Sequence, residues 1–188
     1  MNGARQPPLR TFIALWPDAT VRAELARRAA LVAKACSGRP SRPDTLHLTL
    51  VFIGSTPREK IPALTRLMDD TRAAPFTLRL DQSGWWRHNG VVWAGTRAAP
   101  PALTGLQHDL ALGAEKLGFS LDVRPYVPHL TLARDGGRSP PANAMPALEW
   151  PVASFVLVAS ELSADGPRYR LLHQSALDAD LPVAAGSG

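Results

Sequence analysis

The sequence predicts an α+β fold in which two similar lobes face each other across a central cleft. Helical patterns alternate with short apolar strands, and the order strand, helix, strand occurs twice. Each of these units ends in the same tetrapeptide, His-Leu-Thr-Leu, at 47–50 and at 129–132. Because hairpin patterns are mixed with the strand–helix–strand units, we expect two antiparallel-rich sheets with helices on the outside. The cleft would then carry one His-x-Thr-x motif from each lobe.

The first half of the chain carries clear helix start and stop signals. Asp18 is a good N-cap before an apolar helical stripe, and Thr56-Pro57-Arg58-Glu59 has the pattern of a capping box. The elements predicted here are a strand over 10–16, a helix from Asp18 to about Cys36, a strand over 46–53, and a helix from the capping box to about Ala73.

The second half repeats the pattern and adds hairpins. Asn89-Gly90 is a preferred two-residue turn, and two prolines open a helix at Pro100. The elements predicted here are a strand over 76–80, a hairpin over 85–95, a helix over 100–117, a motif strand over 129–134, and strands over 152–162 and 169–177. The segment 135–146 is rich in Gly, Pro and Ser, so we expect a flexible excursion. We expect one domain over 10–177, with a disordered 1–9 and a flexible 178–188.

Composition narrows the class of protein. The chain has 188 residues, a formal net charge of +5 and a pI of about 10.1, and all but three of its 21 basic residues are arginine. The guanidinium fork suits phosphate, so an anionic partner is plausible. Cys36 is the single cysteine, which excludes an intramolecular disulfide and a cysteine-based zinc site. The start has no apolar signal-peptide core and no apolar run reaches membrane-spanning length, so we expect a cytoplasmic protein.

The repeated tetrapeptide suggests acid–base chemistry on an anion. In a strand, alternate side chains share a face, so each copy points a histidine and a threonine hydroxyl the same way. Histidine titrates near pH 6.5, and one copy can accept a proton while the other donates one. A phosphate diester between the motifs would receive hydrogen bonds from Thr49 and Thr131. Arg134, at the end of the second motif strand, would add positive charge.

Other kinds of site fit less well. Neither motif carries a nucleophilic serine, Cys36 lies in a predicted helix, and no third metal ligand stands at a recognisable spacing. A lone histidine on a strand is usually structural, but two identical tetrapeptides at equivalent places favour function. His88, His108 and His173 are expected to be non-catalytic. Three tryptophans can either stack a base or pack the hairpin: Trp85, Trp86 and Trp93.

These features together resemble the two-histidine (2H) phosphoesterases, and within them the RNA 2′,3′-cyclic phosphodiesterase family, also called the 2′-5′ RNA ligase family. The matching stretches span about 10–177 and are RTFIAL at 10–15, TLHLTL at 45–50, VWAG at 92–95, RPYVPHLTLAR at 124–134 and GPRY at 166–169. One departure is Thr45, where the family more often has asparagine before the leucine.

The resemblance implies metal-independent opening of a 2′,3′-cyclic phosphate at an RNA 3′ end, leaving a 2′-phosphate. By this resemblance His47 is the general acid that protonates O3′, and His129 is the base that activates water. The residues expected to contact the phosphate or line the cleft are Thr49, Thr131, Arg134 and Phe12. Reversal would join the cyclic end to a 5′-hydroxyl. No cofactor and no metal are expected, the partner is RNA with a cyclic phosphate end rather than a membrane, and the protein is expected to be a monomer.

Two alternatives remain open at this point. The enzyme could act on a small cyclic nucleotide or on ADP-ribose cyclic phosphate, or the protein could be a non-catalytic RNA-binding module. The assignment of acid and base is also open, because the pseudo-twofold repeat makes the two histidines nearly interchangeable in the sequence.

Overall fold

A computed structural model describes residues 7–141, 144–163 and 166–181 of the chain. The strands in these residues are β1 (Leu9–Leu15), β2 (Arg39–Pro40), β3 (Leu48–Thr56), β4 (Phe76–Leu80), β5 (Gln82–Trp86), β6 (Val91–Gly95), β7 (His129–Arg134), β8 (Leu148–Val152), β9 (Ser154–Ser163) and β10 (Gly166–Ala176). The α-helices are α1 (Ala19–Cys36), α2 (Ile61–Asp70) and α3 (Pro101–Lys116). Within the same residues, no helix is long and apolar enough to cross a membrane.

The α+β class with antiparallel sheets is confirmed. The larger sheet has the order β10-β9-β1-β3-β7-β6-β5, with β2 paired to β7, and the smaller sheet joins β4 to β8. The strand–helix–strand unit occurs as β1-α1-β3 and again as β6-α3-β7, and in each unit the two long strands are antiparallel neighbours. The structure adds that the strands of both halves lie in one continuous sheet.

The two halves of the large sheet meet where the motif strands β3 and β7 pair with each other. β3 and β7 are antiparallel and share one register pair, Leu48 with Leu130. Each of these leucines follows the histidine of its motif, so the pseudo-twofold axis passes between them. Both are fully buried. In this register His47 lies toward Thr131, and Thr49 lies toward His129.

The two longer helices are exchanged between the halves. α1 packs on β7 and α3 packs on β3, so each helix covers the motif strand of the other half. The leucine and valine stripes that predicted these helices form the contact surface, since Leu25, Val32, Leu103 and Leu110 are fully buried. Asp18 accepts a hydrogen bond from the Val21 amide at 2.8 Å and caps α1 as predicted.

The capping box predicted at Thr56 is wrong. Thr56 ends β3, and its buried hydroxyl hydrogen-bonds Thr11 across the sheet at 2.7 Å. A short 3₁₀ turn at Arg58–Lys60 follows instead, and α2 begins at Ile61 and ends at Asp70 rather than near Ala73. The Thr56 hydroxyl therefore pairs with Thr11 on β1 and is not available to cap a helix.

The predicted flexible excursion after β7 is also wrong at its start. The Gly136 amide donates to the Gly90 carbonyl at 2.9 Å, and the Gly137 amide donates to the Cys36 carbonyl at 2.9 Å. The Trp85 indole donates to the Gly136 carbonyl at 3.0 Å, so this segment is tied to the hairpin and to the end of α1. β8 (Leu148–Val152) follows the predicted loop, and the sequence assigned only its last residue to a strand.

The predicted ends of the domain are partly testable. β1 begins at Leu9, one residue before the predicted domain start. Asp178, assigned to the tail, donates its amide to the Ala73 carbonyl at 2.9 Å and pairs with Arg72. Residues 1–6, 142–143, 164–165 and 182–188 lie outside the described residues.

Candidate active site

All six residues predicted for the site line one cavity of about 530 Å³. His47 and Thr49 reach it from the start of β3, and His129 and Thr131 reach it from the start of β7. The remaining two are Phe12 from β1 and Arg134 from the end of β7. The predicted convergence of both motifs on one cleft is therefore present in the structure.

The two histidines are held in the same way. The Nδ1 atom of His47 lies 2.8 Å from the Thr45 carbonyl, and that of His129 lies 2.8 Å from the Val127 carbonyl. A carbonyl only accepts, so Nδ1 carries the proton in both rings and Nε2 remains for proton exchange. In each motif the acceptor is the carbonyl two residues earlier, which makes the two imidazoles equivalent in orientation and tautomer.

Three aromatic rings enclose His47. Phe12 stacks on it with ring centroids 4.8 Å apart, Trp16 stacks at 5.6 Å, and Tyr169 meets it edge-on at 5.2 Å. Burial among these rings lowers the pKa of His47 to about 4, and the charges of His129 and Arg134 add to the lowering against the opposing Thr45 carbonyl. His47 is therefore neutral in the empty site at neutral pH.

His129 has one aromatic neighbour among the described residues. Trp86 meets it edge-on, with ring centroids 4.6 Å apart. Burial lowers the pKa of His129 below its usual range as well, while the hydrogen bond to the Val127 carbonyl opposes the lowering. The two imidazoles thus make the same backbone hydrogen bond but differ in how many aromatic rings among the described residues contact them.

Positive charge surrounds the cavity. The arginines that line it are Arg10, Arg39, Arg42 and Arg134, and no carboxylate is among the described lining residues. Two acids lie at the rim, where Asp135 pairs with Arg39 and Asp44 with Arg42, each at 3.3 Å. The charge of Arg134 acts across the cleft, because it lowers the pKa of His47, which immediately precedes β3, although Arg134 lies on β7. The cavity is suited to a phosphate anion.

A sheet irregularity adds an aromatic side chain to the cleft. β1 and β3 pair with two register shifts, which place Phe12 opposite Phe52. Residues directly opposite in an antiparallel pair share a face, so Phe52 faces the cleft and is 46% exposed. Strict alternation from Thr49 would have placed Val51 there, but Val51 is buried. The Arg10 guanidinium stacks on the Phe52 ring at 4.9 Å.

The other histidines lie outside this cavity, as predicted. His173 hydrogen-bonds Asp69 at 2.7 Å on the outer side of α2, and His108 is exposed on α3. His88 is exposed next to the hairpin turn. Within residues 7–141, 144–163 and 166–181, no three His, Cys, Asp or Glu side chains gather as a metal site would require.

Several residues of the site were not identified from the sequence. Trp16 and Tyr169 contact His47, and three of the four arginines were not assigned to the site. The GPRY stretch was a signal for Tyr169, but the sequence did not show which strand it pairs with. Of the three tryptophans, Trp85 and Trp93 pack in the hairpin, Trp93 lying over Gly84, and only Trp86 reaches a histidine.

A duplicated fold with one His-x-Thr strand from each half on an arginine-lined cavity defines a two-histidine phosphoesterase. The chain belongs to the LigT-like phosphoesterase family, whose model matches residues 15–93 and 95–169. The first match contains the motif strand β3 and the second contains the motif strand β7. The family predicted from the sequence is therefore confirmed.

Relatives in other organisms agree with this assignment. The chain is 37% identical to the RNA 2′,3′-cyclic phosphodiesterase of Escherichia coli over 175 residues, which cover 90% of this chain and 97% of the relative. It is 36% identical to the enzyme of that name from Thermus thermophilus, with 90% of each chain covered. Among solved structures, E. coli LigT complexed with 3′-AMP superposes with a TM-score of 0.79 at 35% identity, covering 90% of this chain and 98% of that one.

Proposed function

We propose that this protein is an RNA 2′,3′-cyclic phosphodiesterase that opens the cyclic phosphate at an RNA 3′ end. The observation that carries the proposal is the pair of imidazoles on one arginine-lined cavity, each with Nδ1–H fixed and Nε2 available. The names of the relatives in E. coli and T. thermophilus support the substrate. The reaction is a displacement at phosphorus between two proton-transfer groups.

The proposed mechanism gives each histidine one proton transfer. His129 accepts a proton from water as the water oxygen attacks phosphorus, and His47 donates a proton to O3′ as the P–O3′ bond breaks. The product carries a 2′-phosphate. Threonine hydroxyls from both motifs and the Arg134 guanidinium would hold the non-bridging oxygens, where charge stays through the transition state.

The environments of the histidines are compatible with this assignment. The low pKa of His47 makes its protonated form a strong acid toward the departing O3′. His129, which has fewer aromatic neighbours among the described residues, is assigned as the base. A phosphate anion bound between them favours the protonated form of each ring and so raises both pKa values. Substrate binding therefore favours the uptake of a proton from solvent by His47, which is neutral in the free enzyme at neutral pH.

Product analysis tests the proposal directly. An oligonucleotide with a 2′,3′-cyclic phosphate, incubated with the protein in excess EDTA, is expected to yield a 2′-phosphate. A 3′-phosphate would reverse the direction of the displacement, and loss of activity with EDTA would contradict the metal-free mechanism. Faster turnover of a mononucleotide or of ADP-ribose cyclic phosphate would favour those small substrates. Binding without any product would leave an RNA-binding module.

We also propose that the enzyme works as a monomer in the cytoplasm. The rings that contact the two histidines already belong to the same chain, so these contacts need no second copy, and Cys36 is a buried thiol, which suits a reducing compartment. Light scattering coupled to size exclusion is expected to give a mass near 20.2 kDa.

A further inference from the structure

The motif strands β3 and β7 separate from each other inside the site. They share one register pair, Leu48 with Leu130. The next residue on each strand is a motif threonine, and its register partner lies on the outer neighbour, β1 for Thr49 and β6 for Thr131. Among the described residues, the inner edge of each strand therefore has no strand partner at its threonine. A backbone carbonyl at such an edge needs another donor, because an unpaired carbonyl away from water costs free energy.

A side-chain hydroxyl occupies each of these two gaps. Oγ of Ser41 donates to the Thr131 carbonyl at 2.8 Å, and the Tyr126 hydroxyl donates to the Thr49 carbonyl at 3.3 Å. Ser41 lies on the segment that leads into β3, and Tyr126 lies on the segment that leads into β7. Each motif threonine is thus bound through its backbone by the segment that precedes the other motif.

The same two segments also hold the histidines. The carbonyl of Thr45, on the segment before β3, accepts the Nδ1 proton of His47, and the carbonyl of Val127, on the segment before β7, accepts that of His129. Each segment therefore holds the histidine of its own motif and the threonine of the opposite motif. In the register of the sheet, this histidine and this threonine lie next to each other at one end of the cavity.

The two hydroxyl residues are themselves fixed in place. The Ser41 amide donates to the Leu132 carbonyl at 2.8 Å, so Ser41 is bound to β7 at two points. Burial raises the pKa of Tyr126, so its phenol keeps its proton and remains a donor. Tyr126 is not among the described residues that line the arginine-lined cavity, so its hydroxyl reaches the site through the backbone of Thr49.

The direction of a threonine carbonyl is coupled to the position of the threonine side chain. Because the peptide group is planar, a hydrogen bond that fixes the carbonyl also restricts the ψ torsion at the Cα atom that carries the side chain. Under the proposed function, on which this inference rests, the threonine hydroxyl must reach a non-bridging oxygen in the transition state. A displacement of about 1 Å can cost on the order of 10² in rate.

We propose that Ser41 and Tyr126 are positioning residues, each of which keeps the threonine of the opposite motif aligned with the phosphate. Ser41 acts on Thr131 at the end of the cavity that holds His47. Tyr126 acts on Thr49 at the other end. The separation of β3 from β7 opens the cleft, and the two hydroxyls replace the strand pairing that is lost there.

Single variants measure the size of the effect. Tyr126→Phe and Ser41→Ala each remove one hydroxyl, and each is expected to lower kcat for a cyclic-phosphate oligonucleotide by about 5- to 50-fold with little change in KM, less than the loss of a threonine hydroxyl itself. Thr71→Val is the matched control, because the Thr71 hydroxyl donates to the Leu67 carbonyl at 2.7 Å at the end of α2, outside the residues that line the cavity. A urea midpoint checks that each variant folds.

Crossed double variants test whether each hydroxyl acts through its threonine. Tyr126→Phe is expected to have no further effect on kcat when Thr49→Val is present, and its full effect when Thr131→Val is present. Ser41→Ala is expected to show the reverse pattern, with no further effect beside Thr131→Val and its full effect beside Thr49→Val. A purely structural role would give the same fold-change in both backgrounds.

The outcomes separate this inference from the proposed function. Equal fold-changes in the two threonine backgrounds overturn the positioning role, and so does a near-wild-type kcat in both single variants. A loss in Ser41→Ala that persists beside Thr131→Val means that Ser41 contacts the substrate directly, and it overturns the positioning role of Ser41. A wild-type protein that forms no product overturns the proposed function instead. The same crossed pattern is then expected in the Kd for inorganic phosphate, and its absence there overturns the positioning role.

Discussion

The histidines at the two ends of the arginine-lined cavity make the same backbone hydrogen bond but have different surroundings. At both ends an imidazole donates Nδ1–H to the carbonyl two residues earlier, at the same distance. At one end three rings enclose His47, and at the other end Trp86 is the one aromatic ring among the described residues that contacts His129. Duplication thus provides two equivalent proton-transfer groups, and the aromatic packing makes them unequal by penalising the charged form of one more strongly.

The largest expected effect comes from removing either ring. His47→Gln and His129→Gln keep most of the side-chain volume but cannot transfer a proton, and each is expected to lower kcat/KM for a cyclic-phosphate oligonucleotide by about 10²–10⁴. Because the two histidines act as a unit, the kcat/KM of the double variant is expected to be close to that of the less active single variant. His108→Gln, on the exposed face of α3, is the control. Near-full activity of either single variant would break the equivalence of the two ends.

The threonines are expected to have the next largest effect. Thr49→Val and Thr131→Val remove one hydroxyl donor each at nearly constant shape, and each is expected to cost about 10²–10³ in kcat. The antiparallel register places each threonine toward the histidine of the other motif, so similar losses are expected at the two ends. Single-turnover rates measure them, with Thr104→Val on α3 as the control. A loss confined to KM would mean that the hydroxyls bind substrate without stabilising the transition state.

Arg134 is expected to contribute less, and unequally at the two ends. Arg134→Gln removes a charge-assisted contact to the phosphate and is expected to lower kcat/KM by about 10- to 100-fold, with a weaker dependence on salt. Since its charge lowers the pKa of His47, the same change is expected to raise that pKa. NMR titration of the histidine ring protons measures it. Arg170→Gln, on the exposed face of β10, is the control for net charge.

The smallest expected effects are on the pH dependence of activity and on the pKa values of His47 and His129, which compare the two ends of the cavity directly. Both histidines have pKa values below 6.5 in the empty site, so kcat/KM is expected to reach its maximum below pH 6.5 and to fall as the pH rises further. The pH profile of kcat is expected to lie at higher pH, because the bound anion raises both pKa values. Trp16→Leu opens the enclosure of His47 and is expected to raise its pKa from about 4 toward 6.5 without changing that of His129. An unchanged His47 pKa would show that burial is not the cause.

The parts of the site that depend on local pattern were predictable from sequence. Alternation along a strand placed His47 with Thr49, and the repeat identified His129 with Thr131 as the second side. The resemblance to the family added Phe12. The histidine and threonine of each motif line the same cavity because a strand determines which neighbours share a face, whatever it later packs against.

The parts that depend on register and tertiary packing were not predictable. Phe52 faces the cleft only because β1 and β3 pair with bulges, and a single inserted residue changes the face of every following side chain. Trp16 follows the end of β1 and Tyr169 lies on β10, and the sequence does not reveal where these strands lie in the sheet. Thr56 matched a capping pattern, but its hydroxyl bonds to Thr11, a partner distant in sequence.

The exchange of α1 and α3 between the two halves limits how the chain can be divided into parts that fold on their own. Since α1 covers β7 and α3 covers β3, a fragment that holds one half alone would expose its motif strand and leave its helix without a partner. Two such fragments regain their cores only by associating, as in a domain-swapped dimer with its axis between Leu48 and Leu130. The polypeptide has the geometry of a symmetric homodimer fused end to end.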